Sequence, residues 1–581
     1  MWNTASVDTP VLNNFLDSIA GLLQSRDGAK LQDFLQLEPP LSAIYNQMTT
    51  ELQQRHPAGG DKDAELFSKC ESLTAGGQLG SSWPAFPPFM RLYLTFLRDV
   101  NVDNLLETYN LLKSLLNQSV IALGDSQMGV VILPTVFYLS KPELIAHLLR
   151  DEGGESGQGE TGEKVTLVEK STNIVREAFI KCLTDRSGTS GIHAKPEGKR
   201  AGIYLMANLC LKLLFKCGKL RNAEQMFASI NSQSPPLEYF PASQRVTYLY
   251  YLGRYLLSNN LFYPAMIVLE AAYNQCHRQA LKQRGLILTY LIPCNIILGR
   301  FPSRTLLQRP EAEGLGDRFI PLCRYIAKGE IHAFRDYLSV SSPSAEWFAR
   351  KGLLLPLRNR CEILVWRSLT RKVFILAGFH GDQKMQTQRG PPPFLYLQKL
   401  EAAVRWLDAC TTIHICYHVN ATTVHVNVNS PDDLPVDGMI DDIAGVPDPY
   451  STLILEEAEE HQQPGINSSE GAEIAYSPLI QELENVLASL LTQDLMRGYL
   501  THKNPRYAIP GARLKGALPT GFPNVWQTIY AREREDGQIP GWVKPQVSGG
   551  SRRAPGVIPG GGGRVVNLSG ARSISEITGS S

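Results

Sequence analysis

The sequence predicts a mainly α-helical protein, a superhelix of stacked helical hairpins capped at its C-terminal end by a winged helix. Three observations carry that prediction. Apolar residues recur at helical spacing over most of the chain, and between Gln244 and Arg300 the breaks are too short to hold a sheet. A turn motif recurs between paired helices. Near the C-terminus, three helical stretches precede a segment that alternates about a central turn.

Composition sets the outer limits. A chain of 581 residues has room for about two to four domains. Hydrophobic content of 43% and charged content of 19% are those of a globular protein. The best apolar run, Leu286 to Leu298, is interrupted by Thr289, Pro293 and Asn295 and falls short of the ~18 residues a membrane helix needs. No membrane partner is expected. The N-terminus MWNTASVDTPVLNNFLDSI lacks the basic region and apolar core of a secretory signal. The ten cysteines form no C-x-x-C pair, and Cys182, Cys210, Cys323 and Cys361 sit within apolar helical patterns, where a thiol acts as a small hydrophobe. That usage suits a reducing compartment, nucleus or cytosol. The net charge of +1 hides an asymmetry. No Lys or Arg lies between Arg405 and Arg497, while 16 Asp and Glu fall there, so the rest of the chain carries +17 and offers basic surface to polyanions.

Asp8 to about Arg55 carries helical periodicity through Val11, Phe15, Ile19, Leu22 and Leu23, then Leu31, Phe34 and Leu35. From His56 to Pro88 the composition turns to Gly, Ser and Pro, which reads as linker. Phe89 to Leu123 resumes as helix, and a second spans roughly Val130 to Leu149, bent near Pro134 and Pro142. DEGGESGQGETGE, Asp151 to Glu163, is low-complexity and expected to be mobile. Val165 to Leu183 is helical. The following HAKPEGKR, His193 to Arg200, has too short a basic run for a localisation patch and reads as a solvated loop.

The chain is organised around Gln244 to Arg300. Apolar positions recur through Val246, Leu249, Leu252, Tyr255 and Leu256, then Phe262, Met266, Leu269, Ala272 and Tyr273, then Leu286, Tyr290, Leu291 and Ile297. This is helix, turn, helix, turn, helix. KCGKLRNAEQMFASI (Lys216 to Ile230) resembles SNNLFYPAMIVLEAAY (Ser258 to Tyr273), with Gly or Asn at the turn and Ala223 or Ala265 where the paired helices approach. A weaker third copy is AKGEIHAFRDYL, Ala327 to Leu338. Hairpins that bury their apolar faces only by stacking form a tetratricopeptide-like superhelix.

After Ser341 the pattern changes. In Arg358 to Gly378, Ile363, Trp366, Leu369 and Val373 share one side, while Arg360, Arg367 and Arg371 lie within about 40° of one another at ~100° per residue. Pro393 to Ala409 reads as a second helix, and Ser477 to Leu500, opened by Ser-Pro, as a third. Tyr499 to Pro510 reads as a β-hairpin, and three helices closed by a hairpin make a winged helix. Between the second and third helices, Thr411 to Ala472 begins with β-type alternation and continues acidic and Pro/Gly-rich. It is expected to be poorly ordered. The division is thus an N-terminal helical segment (1–56), a linker (57–88), a helical region with mobile loops (89–200), helical repeats (201–341), a winged helix (342–530) with a disordered acidic insert (411–472), and a disordered Gly-rich tail (531–581).

Arg358, Arg360, Arg367, Arg371 and Lys372 on the first of these helices, with Arg497, Lys503, Arg506, Arg513 and Lys515 around the hairpin, are the candidate nucleic-acid contacts. Tyr499 and Tyr507 are placed to stack on bases. A phosphate grip needs cationic density rather than fixed spacing, and a solvated helix face has the same composition. Cys410, His414, Cys416 and His418 do not have the spacing of a standard zinc site, so no metal is expected. His277 reads as a helix-closing residue rather than an acid–base group. The chain has no phosphate loop, no G-x-S-x-G and no H-E-x-x-H, so no catalytic residue, cofactor or small-molecule substrate is assigned.

The stretch YYLGRYLLSNNLFYPAMIVLEAAYNQCHRQALKQRGLILTYLIPCNIILGRFPS resembles the PCI-domain family that includes the fungal signalosome-subunit-twelve proteins, the export protein Thp-one and the animal PCI-domain-containing protein two. Cys276-His277-Arg278, Leu291-Ile292-Pro293 and Leu298-Gly299 fall where that family has them, and LMRGYLTHKNPRYAIPG resembles its wing. The resemblance runs from about Gly202 to Pro523, without the acidic insert, and does not separate the paralogues. It implies a non-enzymatic scaffold of nuclear transcription and mRNA export. Its implied partners are a GANP-like helical protein, a small acidic protein shared with the proteasome lid, and RNA or DNA. It implies a nuclear location, including nuclear pores, with some protein in the cytoplasm. The alternative is a signalosome-like or splicing-associated scaffold that binds protein only.

Overall fold

The computed structural model describes residues 9–38, 40–59, 61–75, 83–101, 103–141, 167–188, 194–218, 220–379, 392–423, 477–512 and 516–532. They are mainly α-helical. Helix α1 (Pro10–Ser25) starts on a proline and buries Leu12, Phe15, Leu16, Ile19 and Leu23, one helical stripe. Arg26 then takes a left-handed conformation (φ 53°), and α2 (Gly28–Phe34) begins two residues on, with the Asp27 carboxylate accepting from the Lys30 N–H. Helices α3 (Ala43–Arg55), α4 (Asp61–Ala75), α5 (Phe86–Asp99), α6 (Leu105–Leu123), α7 (Gly129–Leu139) and α8 (Leu167–Leu183) follow.

Three readings change here. The 57–88 linker contains α4, whose Leu66, Cys70 and Leu73 are buried at i, i+4 and i+7, and Trp83 beyond it is fully buried. Gly and Ser around a short amphipathic run dilute its periodicity in composition. The single helix read from Phe89 to Leu123 is two, α5 and α6, with Asn104 accepting from the Glu107 N–H at the second start. HAKPEGKR is not a solvated loop at its end. Lys199 and Arg200 are buried, Lys199 pairing with Asp185 at 3.2 Å and donating to the Asp125 carbonyl, Arg200 donating to the Gln233 carbonyl. The low-complexity stretch 151–163 and the extension of α7 past 141 lie outside the described residues.

The repeats are α9 (Ile203–Cys217), α10 (Leu220–Gln233), α11 (Ala242–Ser258), α12 (Phe262–Gln275), α13 (Leu281–Ile297), α14 (Arg304–Leu307), α15 (Leu315–Lys328), α16 (Ile331–Tyr337) and α17 (Pro343–Arg350). The three turns matched in the sequence share one backbone device. Gly218, Asn260 and Gly329 have φ of 69°, 60° and 76°, and in each case the next helix starts two residues later. Ala223 and Ala265 are fully buried, while Phe334 stands at the equivalent place in the third copy. Gly253 lets α11 and α12 touch, since a Cβ there would lie 2.5 Å from Leu269. Tyr248 sits at the centre, edge-on to Tyr204 (4.8 Å) and Phe227 (5.8 Å). His277 follows α12, and its ring nitrogen accepts from the Gln279 N–H, closing the turn.

The C-terminal part holds α18 (Leu354–Ala377), β1 (Phe394–Tyr396), α19 (Leu397–Thr423), α20 (Pro478–Thr492), β2 (Tyr499–Thr501), β3 (Arg506–Ala508), α21 (Ala517–Gly521) and α22 (Val525–Arg532). The strands form an antiparallel sheet in the order β1-β3-β2. Its first strand corrects the Pro393–Ala409 helix, because Phe394 to Tyr396 pairs with β3 before α19 begins. Aromatic residues after a proline run favour that extended start. A second correction concerns 411–423, whose β-type alternation gives way to a helical backbone continuous with α19. Residues 424–476 and 533–581 lie outside the described residues. Ser477 caps α20 by accepting from the Leu479 N–H, with Pro478 at the first helical position.

Candidate nucleic-acid interface

Helix α18 buries Leu357, Cys361, Leu364, Val365, Trp366, Leu369, Val373 and Phe374. Its cations therefore point elsewhere, but not all to solvent. Arg358, Arg360, Arg371 and Lys372 are exposed. Arg360 lies over the Phe262 ring at 6.0 Å, on the side of the helical repeats. Arg367 turns inward. Its Nε donates to the Leu495 carbonyl at 2.8 Å and its terminal nitrogen to the Pro523 carbonyl, and its guanidinium packs over the Phe522 ring at 5.9 Å. Burial and the neighbouring charge of Arg371 lower its pKa to about 10. It is still cationic at neutral pH, and its donors bind backbone.

The seam that Arg367 ties is the one on which the sheet sits. The Arg497 N–H donates to the Gly521 carbonyl at 2.8 Å, and the Tyr507 hydroxyl donates to the carbonyls of Arg497 (2.7 Å) and Gly521 (3.2 Å). Tyr507 is fully buried, so its expected role as a stacking residue is corrected. It is a core residue whose phenol pKa rises on burial. Alternation explains the error: in β3 its neighbour Arg506 faces outward, and a one-residue step flips the face. Tyr499 is 43% exposed. Arg497 and Lys503 are exposed, while Arg506 is half-buried with its guanidinium over the Phe394 ring at 5.4 Å. Arg513 and Lys515 lie outside the described residues.

The candidate cations thus form two groups. Arg358 and Arg360 lie about 20 Å along α18 from Arg371 and Lys372, at ~1.5 Å rise per residue. That exceeds the ~8 Å screening length at physiological salt, so the groups act independently. The second follows the stretch of α18 whose Arg367 and Phe374 contact the seam next to Arg497. At the hairpin turn His502 lies 3.0 Å from the Glu484 carboxylate of α20. Sequence reasoning missed β1 and the aromatic residues it carries, because Phe394 and Tyr396 were placed on a helix.

Among the described residues no group of three or more His, Cys, Asp or Glu is placed to hold a metal ion, and no helix is long and apolar enough to cross a membrane. The side chains of His414, Cys416 and His418 lie outside the described residues.

No family model matches the chain. It is 33% identical over 234 residues to a protein of Neurospora crassa named CSN12 homolog, covering 39% of this chain and 48% of that protein. Over 214 residues it is 33% identical to a PCI domain-containing protein of Schizosaccharomyces pombe, covering 37% of this chain and 46% of the relative. PCI domain-containing protein 2 of Danio rerio aligns at 25% identity over 373 residues, 64% of this chain and 83% of that protein. The matches thus span about half the length of the two fungal relatives and most of the animal one.

Proposed function

The chain belongs to the PCI domain-containing protein family, of the CSN12 homolog and PCI domain-containing protein 2 type, and from that premise we propose that it is a non-enzymatic scaffold subunit of a nuclear, transcription-coupled mRNA export complex. In this reading the helical hairpins from α9 to α17 form a tetratricopeptide-like superhelix. The C-terminal helices and sheet are its winged-helix cap. The repeats hold a GANP-like helical partner, with a small acidic proteasome-lid-type protein beside it, and the cap meets RNA or DNA. The observation that carries the nucleic-acid part is the exposure of Arg371 and Lys372 on α18 and of Arg497 and Lys503 around the hairpin. Exposed cations without fixed spacing suit phosphates, and binding of this kind weakens steeply with salt. The reading places the protein in the nucleus, including nuclear pores, with a cytoplasmic fraction.

The alternative, a signalosome-like or splicing-associated scaffold that binds protein only, is favoured by the similarity to proteins named CSN12 homolog. Purifying the tagged protein from nuclear extract with and without nuclease, then identifying its partners by mass spectrometry, separates the two. Recovery of a GANP-like scaffold with export and pore factors supports the first. Recovery of signalosome or splicing proteins alone, unchanged by nuclease, overturns it.

A further inference from the structure

The outward face of the small sheet carries an arrangement that phosphate binding does not use. In an antiparallel sheet, directly paired residues project to the same face. One cross-strand row is Phe379, Phe394, Ala508 and Tyr499, since Phe379 bridges Phe394, Phe394 pairs with Ala508, and Ala508 pairs with Tyr499. The next row on that face is Tyr396, Arg506 and Thr501. The intervening row, Leu395, Tyr507 and Leu500, faces the core, with Leu395 and Tyr507 fully buried. On the outward rows Phe379 is 40% exposed, Tyr396 39% and Tyr499 43%, Phe394 and Arg506 are half-buried, and Ala508 between the rings is buried. The rings of Phe379 and Phe394 lie 5.2 Å apart, those of Phe394 and Tyr396 5.0 Å, and Arg506 spreads over Phe394.

We infer that this face is a stacking platform for unpaired nucleobases, so that the nucleic acid held here is single-stranded. The inference rests on the nucleic-acid reading above and gives it a substrate class. A lone exposed aromatic residue is ordinary on a protein surface. Four rings on one face of a three-stranded sheet, with a guanidinium among them, form a surface whose favoured contact is another π-face. Bases in a duplex already stack on each other and present only edges, whereas an unpaired base offers both faces. Strand spacing of ~4.8 Å puts Phe394 and Tyr499 about two strands apart, with only the small Ala508 between them. The rings are the raised parts of that row. Lys503, in the turn between β2 and β3, and Arg497, just before β2, border the platform where a backbone leaving it would run.

The test measures binding of the full chain to a fluorescent single-stranded oligouridine and to an RNA duplex of equal length, by anisotropy. Variants are Tyr396→Ala, Tyr499→Ala, the double variant, Tyr499→Phe, and the charge reversal Arg497→Glu/Lys503→Glu. Both tyrosines lie at exposed positions on edge strands, and unfolding midpoints confirm that each variant folds. The single strand is expected to bind more tightly than the duplex. The double alanine variant should weaken single-strand binding about tenfold or more and leave duplex binding unchanged. Tyr499→Phe should keep full affinity, and the charge reversal should weaken both. Equal binding of both RNAs, unaffected by the alanine variants but lost on charge reversal, overturns the platform and leaves the nucleic-acid reading intact. Absence of binding to either RNA, with loss of a protein partner on Tyr396→Ala/Tyr499→Ala, overturns both and makes the face a protein-docking surface.

Discussion

Arg367 shows how one residue's role can invert between sequence and structure. On a helical wheel it lies with Arg360 and Arg371, yet its guanidinium spans two carbonyls, Leu495 and Pro523, that belong to the seam under the sheet. Charge-assisted hydrogen bonds of this kind contribute roughly 1.5–3 kcal/mol each, and removing the donor leaves the carbonyls desolvated. Arg367→Ala is therefore expected to lower stability by about 2–4 kcal/mol, read as a shift in the denaturant midpoint. Arg367→Lys should recover only part of the loss, because an ammonium lacks the fork that reaches both acceptors. Arg371→Ala, at an exposed position four residues on, should stay within about 0.5 kcal/mol. Equal effects at the two positions would contradict the clamp. The alternation of β3 is an equally local matter: Arg506 and Tyr507 are adjacent, yet one flanks the outward rings and the other bonds the seam.

At the scale of elements, the repeated turn is the feature most legible in the sequence. Gly218, Asn260 and Gly329 occupy the same left-handed position, and a side chain there costs roughly 1–2 kcal/mol unless it is Asn or Asp. What surrounds each turn differs. Nothing lies within 4 Å of a Cβ added at Gly218, whereas at Gly329 it would meet the Leu369 backbone nitrogen at 2.6 Å, where the α15–α16 turn presses on α18. Gly218→Ala is expected to cost about 1 kcal/mol, the backbone penalty alone. Gly329→Ala should cost roughly 2–4 kcal/mol, since overpacking adds to it. Denaturant midpoints of the two variants decide this, and similar shifts would mean that the contact with α18 carries no weight. The sequence match places the turn but says nothing of the neighbour.

Across the whole molecule, the end of the described chain returns to the repeats. Trp526 stacks on Tyr263 of α12 at 6.1 Å, Arg300 lies over the Trp526 ring at 4.5 Å, and Val525 fills the space beside Gly299. One apolar core runs through the hairpins into the C-terminal helices and sheet. The cysteines report on it. Burial pushes the thiols of Cys70, Cys182 and Cys210 up to about 12, and those of Cys294 and Cys361 further up. A raised thiol pKa leaves roughly 10⁻⁴ thiolate at pH 8, and the thiolate is the reactive form. Iodoacetamide at pH 8 is expected to modify the half-buried Cys217 and Cys410 first. Cys70, Cys182 and Cys210 should react only after denaturant is added, as read by peptide mass spectrometry. Their modification in the native protein would show that the core opens on that timescale.

The sequence by itself determined the helical class, the paired-helix register and the hairpin from Tyr499 to Pro510, because these depend on periodicity and on turn residues close in the chain. It also carried the family resemblance, which rests on the same contiguous segments. The helix within 57–88 escaped it because three buried positions in a polar helix flanked by glycines and serines leave a weak average. Strand β1 escaped because three residues have no detectable period and are defined by pairing with β3, more than a hundred residues away. The candidate interface was half legible. Cationic density is a property of composition, but whether an arginine meets solvent or a carbonyl depends on what the fold brings against it. Only the tertiary structure decided that Arg367 and Tyr507 belong to the seam, and that Phe379, Phe394, Tyr396 and Tyr499 share one open face.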